Sequence, residues 1–219
     1  MRQLLSLLVI MLTINIMLIA IFAGANLVTR YPDLYSFEFT NTEVFKEIDL
    51  VFDEEELADI FSKYLFGDIA DFQIVAEYQG REVEVFSNQE QIGMQNLKTL
   101  LNYILTITLI ALLISILIIF YMIRKGWKIF VRRSYNYSLV LFAIFWLAIW
   151  IAYFSGWFSK FINYYIIIGI NDSETVLGML INSGFQRDWL FFTMIAASVF
   201  IIIVRMIIWK YTKERRMFV

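Results

Sequence analysis

The chain has 219 residues, 60% of them apolar, with one proline and a formal net charge of −2. Soluble domains are about 45–50% apolar, so the excess calls for an apolar solvent beyond a single core. There is no cysteine and no histidine. That excludes disulfides, thiolate metal sites and thiol nucleophiles, and it leaves proton transfer near neutrality to a retuned Glu, Lys or Tyr.

The apolar residues fall into four blocks, each matching the roughly 20 residues that a helix needs to cross a bilayer. They predict spans at 1–28, 100–122, 137–156 and 189–209. Arg2, the first apolar run and Ala23-Gly24-Ala25 imitate a secretory signal with its cleavage site. The run exceeds the usual apolar length of such a signal, so a retained helix is the expectation.

Charge orients the spans. One side carries Arg2, then Arg124, Lys125, Lys128, Arg132 and Arg133 in a basic loop (123–136), then Lys210, Lys213, Arg215 and Arg216 in a basic tail (210–219). Every acid except Glu214 lies in 29–99 or 157–188. The positive-inside rule therefore predicts both ends in the cytoplasm and the acidic segments outside.

Within 29–99, Asp53-Glu54-Glu55-Glu56 reads as a capped helix start with acids at the positive end of the dipole. Leu57, Ile60, Phe61, Tyr64 and Leu65 recur at helical spacing, and Gly67 stops the run. Phe72, Ile74, Ala76 and Tyr78 alternate with polar residues, Gln79-Gly80 offers a turn, and Val83 and Val85 resume, which predicts a β-hairpin. Asn88 with Gln91 marks a further helix start running into the second span. The fold class is thus an α-helical polytopic membrane protein with four transmembrane helices and a small extracytoplasmic α+β domain between the first two. The outer segment 157–188 contains 162–170, too short to span, which predicts a re-entrant or interfacial piece.

No Gly-x-Ser-x-Gly elbow, phosphate loop, calcium loop or metal-ligand spacing occurs in the sequence, so no cofactor or metal is expected. Membrane lipid is the expected partner. The basic tail reads as a topology signal beside anionic lipid rather than a nucleic-acid contact.

The run FSNQEQIGMQNLKTL leading into the second span resembles the signature of the bacterial lipoprotein intramolecular transacylase (Lit) family, approximately F-x-x-R-E-x-x-H-M-x-D-V-K-x-L. Phe86, Glu90, Met94, Lys98 and Leu100 match it in spacing. The resemblance implies four spans with cytoplasmic ends, an outer α+β domain and a second outer loop, in the bacterial cytoplasmic membrane. It also implies transfer of an acyl chain from the glycerol of a lipid-modified cysteine to its amino nitrogen, assisted by histidines.

Here Gly93 stands where the family has His, Asn96 where it has Asp and Gln89 where it has Arg. Phe161-Ile162, then Tyr164-Tyr165, replaces the second loop's Phe-His and Phe-Phe. No catalytic residue is therefore assigned. The substrate-binding candidates are Glu90, Asn96, Lys98 and Tyr103. Gly93, Asn96, Leu100 and Tyr103 share a helical face at i, i+3, i+7 and i+10. Glu90 or Lys98 could act as base if burial retuned them, or both could be structural groups at a domain–membrane junction. Three functions follow as expectations. One is a lipid- or lipoprotein-binding relative with acyl transfer lost or altered. The second is an acyltransferase with a relocated base. The third is a non-enzymatic envelope assembly or immunity protein.

Overall fold

Long unbroken apolar runs with few helix breakers make long helices, and four of them dominate the chain. The structure is a computed structural model that describes residues 2–42, 54–78, 81–162 and 175–212. In chain order the described elements begin with α1 (Arg2–Arg30), α2 (Pro32–Thr42) and α3 (Glu54–Phe66). The strands β1 (Val75–Tyr78) and β2 (Arg81–Glu84) follow, then α4 (Asn88–Arg124) and α5 (Lys128–Phe154). The short helices α6 (Trp157–Phe161) and α7 (Val176–Leu180) precede α8 (Ser183–Thr212).

Helices α1, α4, α5 and α8 are each long and apolar enough to cross a membrane. Leu117, Ile151 and Met206 are each more than 60% exposed on them, an apolar surface of the kind that membrane lipid covers. This is a multi-pass helical membrane protein. The 37 residues of α4 measure about 55 Å at 1.5 Å per residue, well beyond a hydrocarbon core of about 30 Å. The basic segment expected as a loop over 123–136 is mostly helical: α4 ends at Arg124 and α5 begins at Lys128.

By internal contacts the chain divides into two units. The first comprises Met1–Ala25, Ile104–Ile149 and Thr193–Val219. Its core joins Leu12, Ile16 and Ala20 of α1 to Met122 of α4, Val131 and Tyr135 of α5, and Ile201 and Ile208 of α8. Thr13 Oγ1 donates to the Val9 carbonyl at 2.7 Å and reaches the Ser134 carbonyl at 3.3 Å. Arg132 closes α8: its Nε donates to Thr212 Oγ1 at 2.8 Å and its terminal nitrogen to the Thr212 carbonyl at 2.7 Å. A cation supplying donors to the last carbonyls complements the negative end of a helix. A Cβ built on Gly24 would lie 2.9 Å from the Ala197 nitrogen and 3.1 Å from the Thr193 carbonyl oxygen. The Ala23-Gly24-Ala25 triplet that imitates a cleavage site is thus where α1 needs a small residue against α8.

The second unit comprises Asn26–Tyr103 and Trp150–Phe192. Its centre is aromatic. Phe61 is fully buried and meets Tyr35 at 5.3 Å, Phe39 at 5.5 Å, Phe72 at 5.0 Å and Phe86 at 5.9 Å between ring centroids. Tyr35 also stacks on Phe185 at 5.7 Å. Helix α2 has no counterpart in the sequence reading. Pro32 opens it as a first helical residue whose missing N–H costs nothing there.

Helix α3 occupies the stretch predicted from periodicity, although Asp53 itself lies outside the described residues. It ends at Gly67 (φ 98°), where Gly67 N donates to the Tyr64 carbonyl and Asp68 N to the Lys63 carbonyl. That pattern is a Schellman cap, which needs a residue tolerant of left-handed backbone. The strands pair antiparallel with Val75 opposite Glu84 and Tyr78 opposite Arg81. The expected turn at Gln79-Gly80 and the expected re-entrant piece beyond Ile162 lie outside the described residues.

Candidate functional site

The four candidate residues sit on α4, and the structure sends them to three different environments. Glu90 is 4% exposed and engaged on both carboxylate oxygens. Its Oε2 accepts from the Ser87 backbone N–H and from Ser87 Oγ, both at 2.8 Å. Its Oε1 accepts from the Leu177 N–H at 2.7 Å, at the first turn of α7. Ser87 and Glu90 form the capping box of α4, one residue before the Asn88/Gln91 pair expected from sequence. Glu90 thus holds two helix starts together, and three donors engage both of its oxygens.

Lys98 lies over the Tyr64 ring at 4.2 Å, with Nζ donating to the Ile69 carbonyl at 3.1 Å. It lines a groove of about 480 Å³ between α4 and the segment that follows α3. Asn88, Gln91, Gln95, Thr99 and Asn102 line the same groove from α4, and Asp71 and Gln73 from the other wall. Neither Asn96 nor Tyr103 lines it. Both are exposed, Tyr103 by 65%. The strip drawn through Gly93, Asn96, Leu100 and Tyr103 is therefore not one surface, since Gly93 is buried while Asn96 and Tyr103 are exposed.

Asn102 is positioned from behind. Arg30, at the end of α1 and 6% exposed, donates to Asn102 Oδ1 at 2.8 Å and lies over the Phe66 ring at 5.7 Å. Ser62 Oγ donates to the Arg30 carbonyl at 2.6 Å. Asn26 Nδ2 donates to the Leu101 carbonyl at 2.7 Å. These bonds fix the end of α1 against α3 and α4 at the foot of the groove.

A second titratable cluster lies on α2 and α8. Glu38 is 3% exposed, and its carboxyl is hydrogen-bonded to that of Asp188. Burial, then the Asp188 hydrogen bond and negative charge, push Glu38 up to about 7, against the opposing pull of Arg187. Arg187 Nε meets Asp188 Oδ1 at 2.6 Å. Two carboxyls in contact favour sharing a proton, which fits Glu38 being raised while Asp188, paired first with Arg187, is lowered. Sequence reading missed this pair, because the helix carrying Glu38 was not foreseen and Asp188 lies 150 residues further on. Among the described residues no group of three His, Cys, Asp or Glu side chains could hold a metal ion.

No protein-family model and no curated protein matches the sequence. Solved structures do. The membrane integral lipoprotein intramolecular transacylase Lit from Bacillus cereus superposes with a TM-score of 0.70 at 14% identity, covering 99% of this chain and 100% of that one. Two variants of the same Bacillus cereus protein, each substituted at one histidine, give TM-scores of 0.70 and 0.65 at 14% and 15% identity. They cover 99% and 97% of this chain, and 95% and 93% of theirs. Across nearly its whole length, and without a histidine of its own, this chain has the fold of the Lit transacylase.

Proposed function

We propose that this protein is a Lit-like lipid- or lipoprotein-binding protein of the bacterial cytoplasmic membrane in which acyl transfer is lost or altered. Its basic segments face the cytoplasm, and α3 and the β1–β2 hairpin belong to a small extracytoplasmic α+β domain. The observation that carries this reading is the whole-length fold likeness to Lit in a chain containing no histidine. Without histidine the family's proton transfer has no counterpart, and general acid–base assistance is worth about 10²–10⁴-fold in rate. Glu90 and Lys98 do not replace it, because each is already engaged by neighbours.

A second reading, active transfer with a relocated base, is favoured by one observation. The Glu38 carboxyl is buried on α2 beside Asp188 and its Arg187 partner, a carboxyl pair of the kind that trades a proton near neutrality. Mass spectrometry of lipoprotein N-termini from cells with and without the protein separates the two. Unchanged diacylglyceryl-cysteine termini, with lipoprotein crosslinking to Gln95, are expected from the binder. An acyl chain moved onto the cysteine nitrogen ends that reading in favour of the second, and absence of both crosslink and transfer ends both.

A further inference from the structure

The groove beside α4 is lined along its length by carboxamides. Asn88, Gln91, Gln95 and Asn102 stand at i, i+3, i+7 and i+14 on one side of the helix, and Gln73 stands on the facing wall. The fourteen-residue separation of Asn88 and Asn102 spans about 21 Å at 1.5 Å per residue. An extended polypeptide covers that length with roughly six residues at 3.3–3.6 Å each. Carboxamides carry both donor and acceptor, which is what alternating peptide N–H and C=O groups require.

The groove is open for such use. Asn88, Gln95 and Gln73 make no side-chain hydrogen bond among the described residues, and Gln91 uses only Nε2, which donates to the Phe86 carbonyl at 3.0 Å. Its charge does not suit an anion. The lining holds one carboxylate, Asp71, and one ammonium, Lys98, and the ammonium is already committed to Tyr64 and the Ile69 carbonyl. Tyr64, Phe72 and Ile92 add apolar wall between the amides, as a site for a chain of mixed side chains would have.

The groove also has a direction. Its Asn102 end adjoins the point where α4 becomes the apolar run from Ile104 onward, and its Asn88 end is the helix start. A polypeptide tethered by lipid at its first residue would leave the membrane at the Asn102 end and rise along α4. We propose that this groove binds, in extended form and through its peptide groups, about six residues following the lipid-modified cysteine of a lipoprotein. The inference rests on the lipoprotein-binding reading and names the part of the ligand that the groove takes.

The test uses the full chain in lipid nanodiscs and two synthetic diacylglyceryl-cysteine peptides. One ends after a single serine; the other continues for six further residues. The longer peptide is expected to bind about ten-fold more tightly, the worth of one or two net hydrogen bonds. Gln91→Ala with Gln95→Ala should return it to the affinity of the short peptide and leave the short peptide unaffected. Asn88→Ala, at the far end, should weaken the longer peptide alone. Equal binding of both peptides, unmoved by these variants, overturns the groove assignment while leaving lipid binding standing. Equal weakening of both peptides assigns the groove to the lipid headgroup and also overturns it. Binding of neither peptide ends the lipoprotein reading itself. Unchanged thermal midpoints of the variants, whose side chains are exposed or half-exposed, exclude unfolding as the cause.

Discussion

Glu90 Oε1 accepts the Leu177 N–H at 2.7 Å, joining residues 87 positions apart in the sequence. The same carboxylate takes both donors of Ser87, so one side chain caps α4 and the start of α7 together. Charge-assisted hydrogen bonds of this kind are worth more than neutral ones, and a buried N–H left unpaired costs about 1–3 kcal/mol.

Glu90→Ala should therefore lower stability by about 2–4 kcal/mol, read by thermal unfolding in detergent. Glu90→Gln presents an amide donor to one of these N–H groups but keeps an oxygen for the other, and should fall between the two. Equal stability of all three proteins would show that the carboxylate does not join these helices.

Gly24 gives the counterpart inside the membrane. A methyl group there would press on the Ala197 backbone at 2.9 Å and the Thr193 carbonyl at 3.1 Å. Two of these close atoms are α8 backbone, which leaves little room to shift. Gly24→Ala should cost about 1–3 kcal/mol, as overpacking does, and Gly24→Leu more. A Gly24→Ala protein as stable as its parent would mean that α1 and α8 separate at no cost.

The four spans were legible because hydrocarbon demands a long apolar run whatever the tertiary structure. Helix α3 was legible because Gly67 and the spacing of Leu57, Phe61 and Leu65 speak locally. Helix α2 was not, since Tyr35 and Phe39 owe their burial to Phe61 and Phe185, contacts that no local pattern announces. The site was read less well than the fold. Lys98 does line a groove, but helical spacing alone could not tell that Glu90 would be spent on α7. Nor could it tell that Asn96 and Tyr103 would stand exposed while Gly93 turned inward. Of the amides that do line the groove, Gln91, Gln95 and Asn102 lie one or two positions away from the strip drawn from sequence.

Glu38 makes stability depend on pH. Its carboxyl is raised from an ordinary value of 4.5 to about 7, by burial first and then by Asp188, with Arg187 opposing. Between those values the folded protein holds a proton that the unfolded chain has released. Stability falls as pH rises wherever the folded state binds more protons. The contribution from Glu38 is therefore complete below about pH 4.5, declines as pH rises toward about 7, and is absent above that. Glu38→Gln keeps a neutral donor toward Asp188 without a titrating proton. The difference in unfolding midpoint between parent and variant should shift across that window in favour of the variant as pH rises. A difference independent of pH would mean that Glu38 titrates normally.

The orientation can be tested without removing any native residue, because the chain contains no cysteine. Ser134 lies in the basic segment but is 0% exposed and donates to the Phe130 carbonyl, so a thiol there would be silent on either side. Lys125, in the turn between α4 and α5, and Glu56, on α3, are both exposed. With the basic segments inside, Glu56→Cys should react with a membrane-impermeant maleimide in intact cells. Lys125→Cys should react only after the membrane is opened. The positive-inside argument weighs Lys and Arg near span ends and gives little weight to acids, so it rests on Arg124 to Arg133 and Lys210 to Arg216 rather than on the acidic segment. Labelling of Lys125→Cys and not Glu56→Cys in intact cells would invert the topology. The groove beside α4 would then open on the cytoplasmic side, where a lipoprotein that has crossed the membrane cannot reach it, and the proposed ligand would fall with the orientation.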